Sequence, residues 1–153
     1  MVQVFSTPRI TILLFLTAVY IVFLSNTASP AERYAVTGGV ANIRSGPGTK
    51  YEILFKAEKY YPLNIVEKLG NWYQFEDYEG DIGWIHKSLA GKIQSVITTK
   101  SKNNIRSGPG TNYRIMFISE QGVPFKVIER KGNWIHVEHS EGHKGWIHKS
   151  LVW

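Results

Sequence analysis

Beyond residue 31, apolar and polar positions alternate over short stretches that are punctuated by turn-forming residues. In Trp134-Ile135-His136-Val137-Glu138, Ile135 and Val137 fall on one face, and Trp134, His136 and Glu138 on the other. The next stretch repeats the pattern, with Ile147 on one side and Lys144, Trp146 and His148 on the other. Earlier in the chain, Leu63 to Lys68, Trp72 to Glu76 and Ile82 to His86 are separated by Leu69-Gly70-Asn71 and by a turn containing Gly80. No window of 11 or more residues in this region keeps the period of an amphipathic helix. The pattern predicts an all-β protein built from small barrels or sandwiches.

The pattern occurs twice. Asn42-Ile43-Arg44-Ser45-Gly46-Pro47-Gly48-Thr49 recurs as Asn104 to Thr111, Gly70-Asn71-Trp72 as Gly132-Asn133-Trp134, and Gly83 to Leu89 as Gly145 to Leu151. All three pairs share an offset of 62 residues, and 27 of 48 positions are identical without a gap. Such a repeat implies two copies of one fold. Boundaries are expected at 32–93 for copy one and 94–153 for copy two. A unit of this size buries only about 60% of its unfolded surface, so the copies are expected to pack on each other. Between them, Ile93-Gln94-Ser95-Val96-Ile97-Thr98 reads as a strand that either opens copy two or closes copy one.

The N-terminal 31 residues have a different character. Arg9 precedes an apolar run from Ile10 to Leu24, followed by small and polar residues ending at Ala31. A membrane-spanning helix needs about 20 apolar residues and this run is shorter, so residues 1–31 are expected to be a signal peptide rather than a stable membrane anchor. Ser29 and Ala31 favour a cut after Ala31, with one after Ala28 second. The expected location is outside the cytoplasm, in the periplasm or the extracellular cell envelope.

The Asn-Ile-Arg-x-Gly-Pro-Gly opening, the central Gly-Asn-Trp and the closing Gly-Trp-Ile-His-Lys-Ser-Leu resemble bacterial SH3 (SH3b) domains, and the resemblance covers nearly all of residues 32–153. It implies two tandem SH3-like barrels. It also implies binding or targeting, since members are usually attached to cell-wall enzymes or stand alone in the envelope. Recognition of proline-rich peptides is not implied. His86, Leu89, His148 and Leu151 occupy the closing positions where proline-binding relatives carry Pro and Tyr.

Composition narrows the chemistry. The chain has no cysteine, which excludes disulfides, thiol catalysis and cysteine-based zinc sites. Residues 32–93 hold eight Lys/Arg and eight Asp/Glu, whereas 94–153 hold nine and four, so the positive excess lies in copy two. A basic face suits an anionic partner, and the export signal argues against nucleic acid. The expected partner is cell-wall polymer, peptidoglycan glycan or peptide. The alternative is a structural or scaffolding protein that binds other envelope proteins.

The candidate ligand-binding residues are Trp72, Trp84, His86, Trp134, Trp146 and His148, which alternation places on the outward face, with Arg44 and Arg106 at the end of the first repeated strand. The face is expected to centre on Trp84 and Trp146. The competing reading makes the tryptophans lids over a core. Each guanidinium suits a ligand carboxylate, and the competing reading pairs it internally with Glu67 or Glu129. His136, Glu138, His139, Glu141 and His143 cluster in sequence, but copy one has Gln74, Asp77 and Asp81 in place of the three histidines. The expectation is therefore a solvated hairpin and no metal. No nucleophile elbow or His-Glu-x-x-His motif is present, so neither catalytic residues nor cofactors are assigned, and the chain is expected not to be an enzyme.

Overall fold

The computed structural model describes residues 32–153; the segment read as a signal peptide lies outside them. The described chain is all-β, with two short 3-10 turns at Lys87–Leu89 and Lys149–Leu151. Among the described residues no helix is long and apolar enough to cross a membrane.

Copy one contributes β1 (Glu32–Val36), β2 (Val40–Arg44), β3 (Ile53–Glu58), β4 (Pro62–Leu69), β5 (Trp72–Glu76), β6 (Ile82–His86) and β7 (Ala90–Gly91). They form one antiparallel sheet in the order β3-β2-β6-β5-β4-β1-β7. Copy two contributes β8 (Ser95–Ile97), β9 (Asn103–Arg106), β10 (Ile115–Ser119), β11 (Pro124–Lys131), β12 (Trp134–Glu138) and β13 (Lys144–His148), in the order β10-β9-β13-β12-β11-β8. Each order runs from one edge strand to another, so the observed architecture is two antiparallel sheets, one per copy.

The segment joining the copies opens copy two. β8 pairs with β11, Val96 opposite Phe125, as β1 pairs with β4, Tyr34 opposite Leu63. The chain end supplies the counterpart of β7: Thr98 bridges Val152 and Ile97 exchanges backbone hydrogen bonds with Trp153. Copy one has the same arrangement between Val36 and Ala90 and between Ala35 and Gly91.

Local sequence explains the central hairpins. Leu69 faces Trp72 and Lys131 faces Trp134 across two-residue turns, Gly70-Asn71 and Gly132-Asn133. Both glycines have φ of 59°, and neither asparagine has positive φ, the pattern of a turn that takes glycine first. The tight turn fixes register, and register fixes the faces. Ile135, Val137 and Ile147 are buried, while Trp134, His136, Trp146 and His148 are half-buried on the other face.

Each sheet has its own core. In copy one Val36, Ile43, Leu63, Ile65, Phe75 and Ile85 cluster; in copy two Ile105, Phe125, Val127, Ile135, Val137 and Ile147 do. The copies also touch, as expected: the Arg33 guanidinium lies 4.2 Å from the centre of the Trp153 ring. A cleft of about 450 Å³ lies between them, lined in part by Arg33, Lys92 and Arg130.

Candidate ligand-binding site

The hairpins place the predicted residues as facing pairs. Trp134 sits opposite His148 across the β12–β13 ladder, and Trp72 opposite His86 across β5–β6. In each pair the rings meet edge to face, with centroids 5.3 Å apart. The geometry suits two aromatic quadrupoles and fixes the indole edge. Next along the same face, Trp146 is opposite both His136 and Arg106, and Trp84 is opposite both Gln74 and Arg44.

The histidines are anchored from the other side. His86 and His148 are the N-caps of the two 3-10 turns, their Nδ1 atoms accepting the amides of Ser88 and Ser150 at 3.4 and 3.3 Å and lying 2.8 Å from the serine hydroxyls. The closing His-Lys-Ser-Leu motif is thus a cap that holds the imidazole against the tryptophan.

Arg44 and Arg106 also have a built-in task. Arg44 donates through Nη1 to the carbonyls of Thr49 and Tyr51 at 3.0 and 2.7 Å, and Arg106 to those of Thr111 and Tyr113 at 3.0 and 2.8 Å. Each guanidinium therefore braces the Ser-Gly-Pro-Gly loop that follows its strand. The expected ion pairs with Glu67 and Glu129 are not made; Glu129 instead lies 3.5 Å from His136 Nδ1. A strand end next to an exposed loop has more unmet carbonyls than carboxylates within reach, and the charged donor takes those.

In copy two, Arg106, Trp134 and His148 line a common cleft of about 280 Å³ together with Asn104, Thr111, Ser150 and Leu151. Sequence reasoning missed these last four as site residues. The available signal was their identity with Asn42, Thr49, Ser88 and Leu89 in copy one.

The tryptophans divide. Trp84 is only 8% exposed, which gives it the lid role, whereas Trp72, Trp134 and Trp146 are half-buried. Trp146 stacks face to face on His136, with centroids 4.9 Å apart and planes 8° from parallel. One face of that indole is therefore already covered.

The histidine cluster divides as well. His136 belongs to the Trp146 stack, and Glu138 lies 3.7 Å from Lys144. His139, Glu141 and His143 come together across the β12–β13 turn, with potential ligand atoms all within 4.8 Å of one another. His139 and His143 lie 3.6 and 3.7 Å from the Glu141 carboxylate.

Two tandem antiparallel sheets, each carrying the same Trp-His pair and Arg-braced loop, define a repeated small all-β module. The chain belongs to the bacterial SH3 domain family, whose profile matches residues 37–90 and 99–153. It is 29% identical over 151 residues to a putative N-acetylmuramoyl-L-alanine amidase, YrvJ, of Bacillus subtilis, covering 92% of this chain and 29% of that protein. It is 40% identical over 61 residues to a probable cell wall amidase, LytH, of Staphylococcus epidermidis, covering 39% of this chain and 21% of the relative. The chain thus spans under a third of the length of these relatives. Among solved structures, NlpC1 from Trichomonas vaginalis matches over 84% of this chain and 47% of its own, with a TM-score of 0.37 and 12% identity. The expectation that the chain is not an enzyme is not upheld, because the relatives it matches are named as amidases.

Proposed function

We propose that the chain acts at the bacterial cell envelope by binding cell-wall polymer, peptidoglycan glycan or peptide. The observation that carries this reading is the cleft where Arg106, Trp134 and His148 converge. An indole flanked by a capped imidazole offers an apolar surface with polar atoms at its rim, the combination that holds a sugar ring or a short peptide. Arg44, Trp72 and His86 keep the same ring contact and the same loop brace in copy one, which supports two sites per chain. Two weak sites on one polymer gain through effective concentration. The cell-wall amidase names of the relatives support the choice of polymer.

The test is co-sedimentation of the purified chain with purified peptidoglycan. Binding is expected to fall when Trp134 and Trp72 are both replaced by alanine. Retention of full binding by that double variant, with the fold intact, overturns the site. No sedimentation of the unaltered chain overturns the reading and favours an envelope protein as partner. Soluble fragments released from the pellet report on amidase activity in the same assay.

A further inference from the structure

The β12–β13 turn of copy two carries a side-chain set that wall binding does not use. We propose that His139, Glu141 and His143 form a binding site for a divalent transition ion of the zinc class. Two imidazoles and a carboxylate are ligands that suit such an ion, and imidazole in particular selects it over magnesium or calcium. The separations fit. With ligand distances of about 2.0–2.2 Å in a tetrahedral arrangement, ligand atoms lie roughly 3.3–3.5 Å apart. The Glu141 carboxylate is already 3.6 Å from His139 and 3.7 Å from His143, and all three ligand atoms fall within 4.8 Å. Small side-chain rotations complete the site.

Two further observations distinguish the set from a chance ion pair. Each imidazole is backed by a phenylalanine ring, His139 by Phe125 at 5.5 Å and His143 by Phe117 at 6.0 Å between centroids, so both are held on one side of the turn. The backbone is also fixed: the His139 amide donates to the His143 carbonyl at 2.8 Å, and that of Gly142 to the His139 carbonyl at 2.9 Å. Copy one forms the same turn with Asp77, Glu79 and Asp81, but there the Asp77 carboxylate is consumed by the amides of Glu79 and Asp81 and by the Tyr61 hydroxyl. In copy two Val123 stands where Tyr61 stands, and the His139 ring nitrogen accepts only a 3.4 Å bond from the Glu141 amide. The ring is therefore far less committed than the carboxylate it replaces.

Three protein ligands leave a tetrahedral ion one open position. The three residues form part of the wall of a cleft of about 410 Å³ that is otherwise lined mainly by Phe117, Ile118, Val123 and Phe125. That open position is available to water or to an oxygen of a ligand seated there. The positive excess of copy two opposes a cation, but such long-range repulsion is screened beyond about 10 Å at moderate salt. The ligand carboxylate acts at contact.

Zinc titration of the purified chain by calorimetry, with the histidine ring resonances followed by NMR, tests the site. One zinc ion per chain is expected, with the His139 and His143 resonances shifting and those of His86 and His148 unmoved. His143→Asn is expected to weaken binding at least about tenfold, since even changes behind a ligand cost that much. Its side chain is 68% exposed, so the melting temperature is expected to hold. Glu141→Gln is a second variant of an exposed side chain and is expected to weaken binding too. Absence of stoichiometric zinc binding, equal shifts at all histidines, or binding unchanged in both variants overturns the site. Wall sedimentation does not enter the test, so the two proposals fail separately.

Discussion

Asp77 and His139 occupy the same place in the two copies and close the same turn with different chemistry. The Asp77 carboxylate accepts the amides of Glu79 and Asp81 at 2.9 Å each and the Tyr61 hydroxyl at 2.9 Å, whereas His139 accepts a single amide at 3.4 Å. Asp77 is buried, so its three donors depend on it for satisfaction.

Asp77→Ala is therefore expected to destabilise copy one by about 1–3 kcal/mol, the cost of leaving buried polar groups unpaired. His139→Ala loses one long hydrogen bond and the Phe125 contact, and its cost is expected to be smaller. Denaturant titration of both variants checks the order. Equal losses would show that the Asp77 hydrogen bonds contribute little.

The Tyr61 end of that network gives a pH dependence. Burial, reinforced by the hydrogen bond to Asp77, raises the Tyr61 hydroxyl above the ordinary phenol range. The folded state thus holds this proton more tightly than the unfolded state, whose phenol ionises near pH 10. The contribution is fully present below about pH 10 and is lost as pH rises above it. The stability difference between the unaltered chain and Tyr61→Phe is expected to shrink between pH 8 and pH 11. A difference that stays constant across that range contradicts the assignment.

How much of this was legible in the sequence varies by element. The strands Trp72–Glu76 and Ile82–His86 followed from alternation and the turn residues that bound them. Alternation placed Trp84 outward, but its neighbours bury it, which strand period alone does not encode. The role of Ile93–Thr98 was not legible, since a short apolar strand has no local mark of which sheet it joins; its pairing with β11 is a long-range choice. The Arg44 and Arg106 contacts were not legible either. Charge complementarity pointed to Glu67 and Glu129, but the loop carbonyls that win are backbone atoms and carry no residue signature. The His139, Glu141 and His143 grouping was visible as spacing, while its separation from His136 depended on the Trp146 stack.

The repeat also sets up a backbone comparison. Tyr60 has φ of 72° and its counterpart Gly122 has φ of 79°. A side chain in that left-handed region costs about 1–2 kcal/mol. Gly122→Ala is expected to lower stability by about that amount. Tyr60→Gly relieves the same strain, yet Tyr60 is only 7% exposed, and losing a buried aromatic ring costs about 3–5 kcal/mol. Burial wins, so both substitutions are expected to destabilise. A Tyr60→Gly chain with an unchanged or raised melting temperature would reverse that ranking.

Trp84 and Trp134 separate the lid role from the ligand role. Trp84 is opposite Arg44 on the outer face of copy one but is covered by its surroundings, and truncating a buried aromatic costs about 3–5 kcal/mol. That is a large share of the stability of so small a unit, so Trp84→Ala is expected to melt well below the unaltered chain. Trp134 is half-buried and lines the copy-two cleft beside His148, so its truncation removes less packing and more of the proposed contact surface. Trp134→Ala is expected to shift the melt little while weakening peptidoglycan binding roughly tenfold, equivalent to about 1.4 kcal/mol. Melting curves and sedimentation, measured on the same preparations, distinguish the two effects. A folded Trp84→Ala chain that has lost binding, paired with a Trp134→Ala chain that binds at full strength, would move the ligand face to the centre of the sheet.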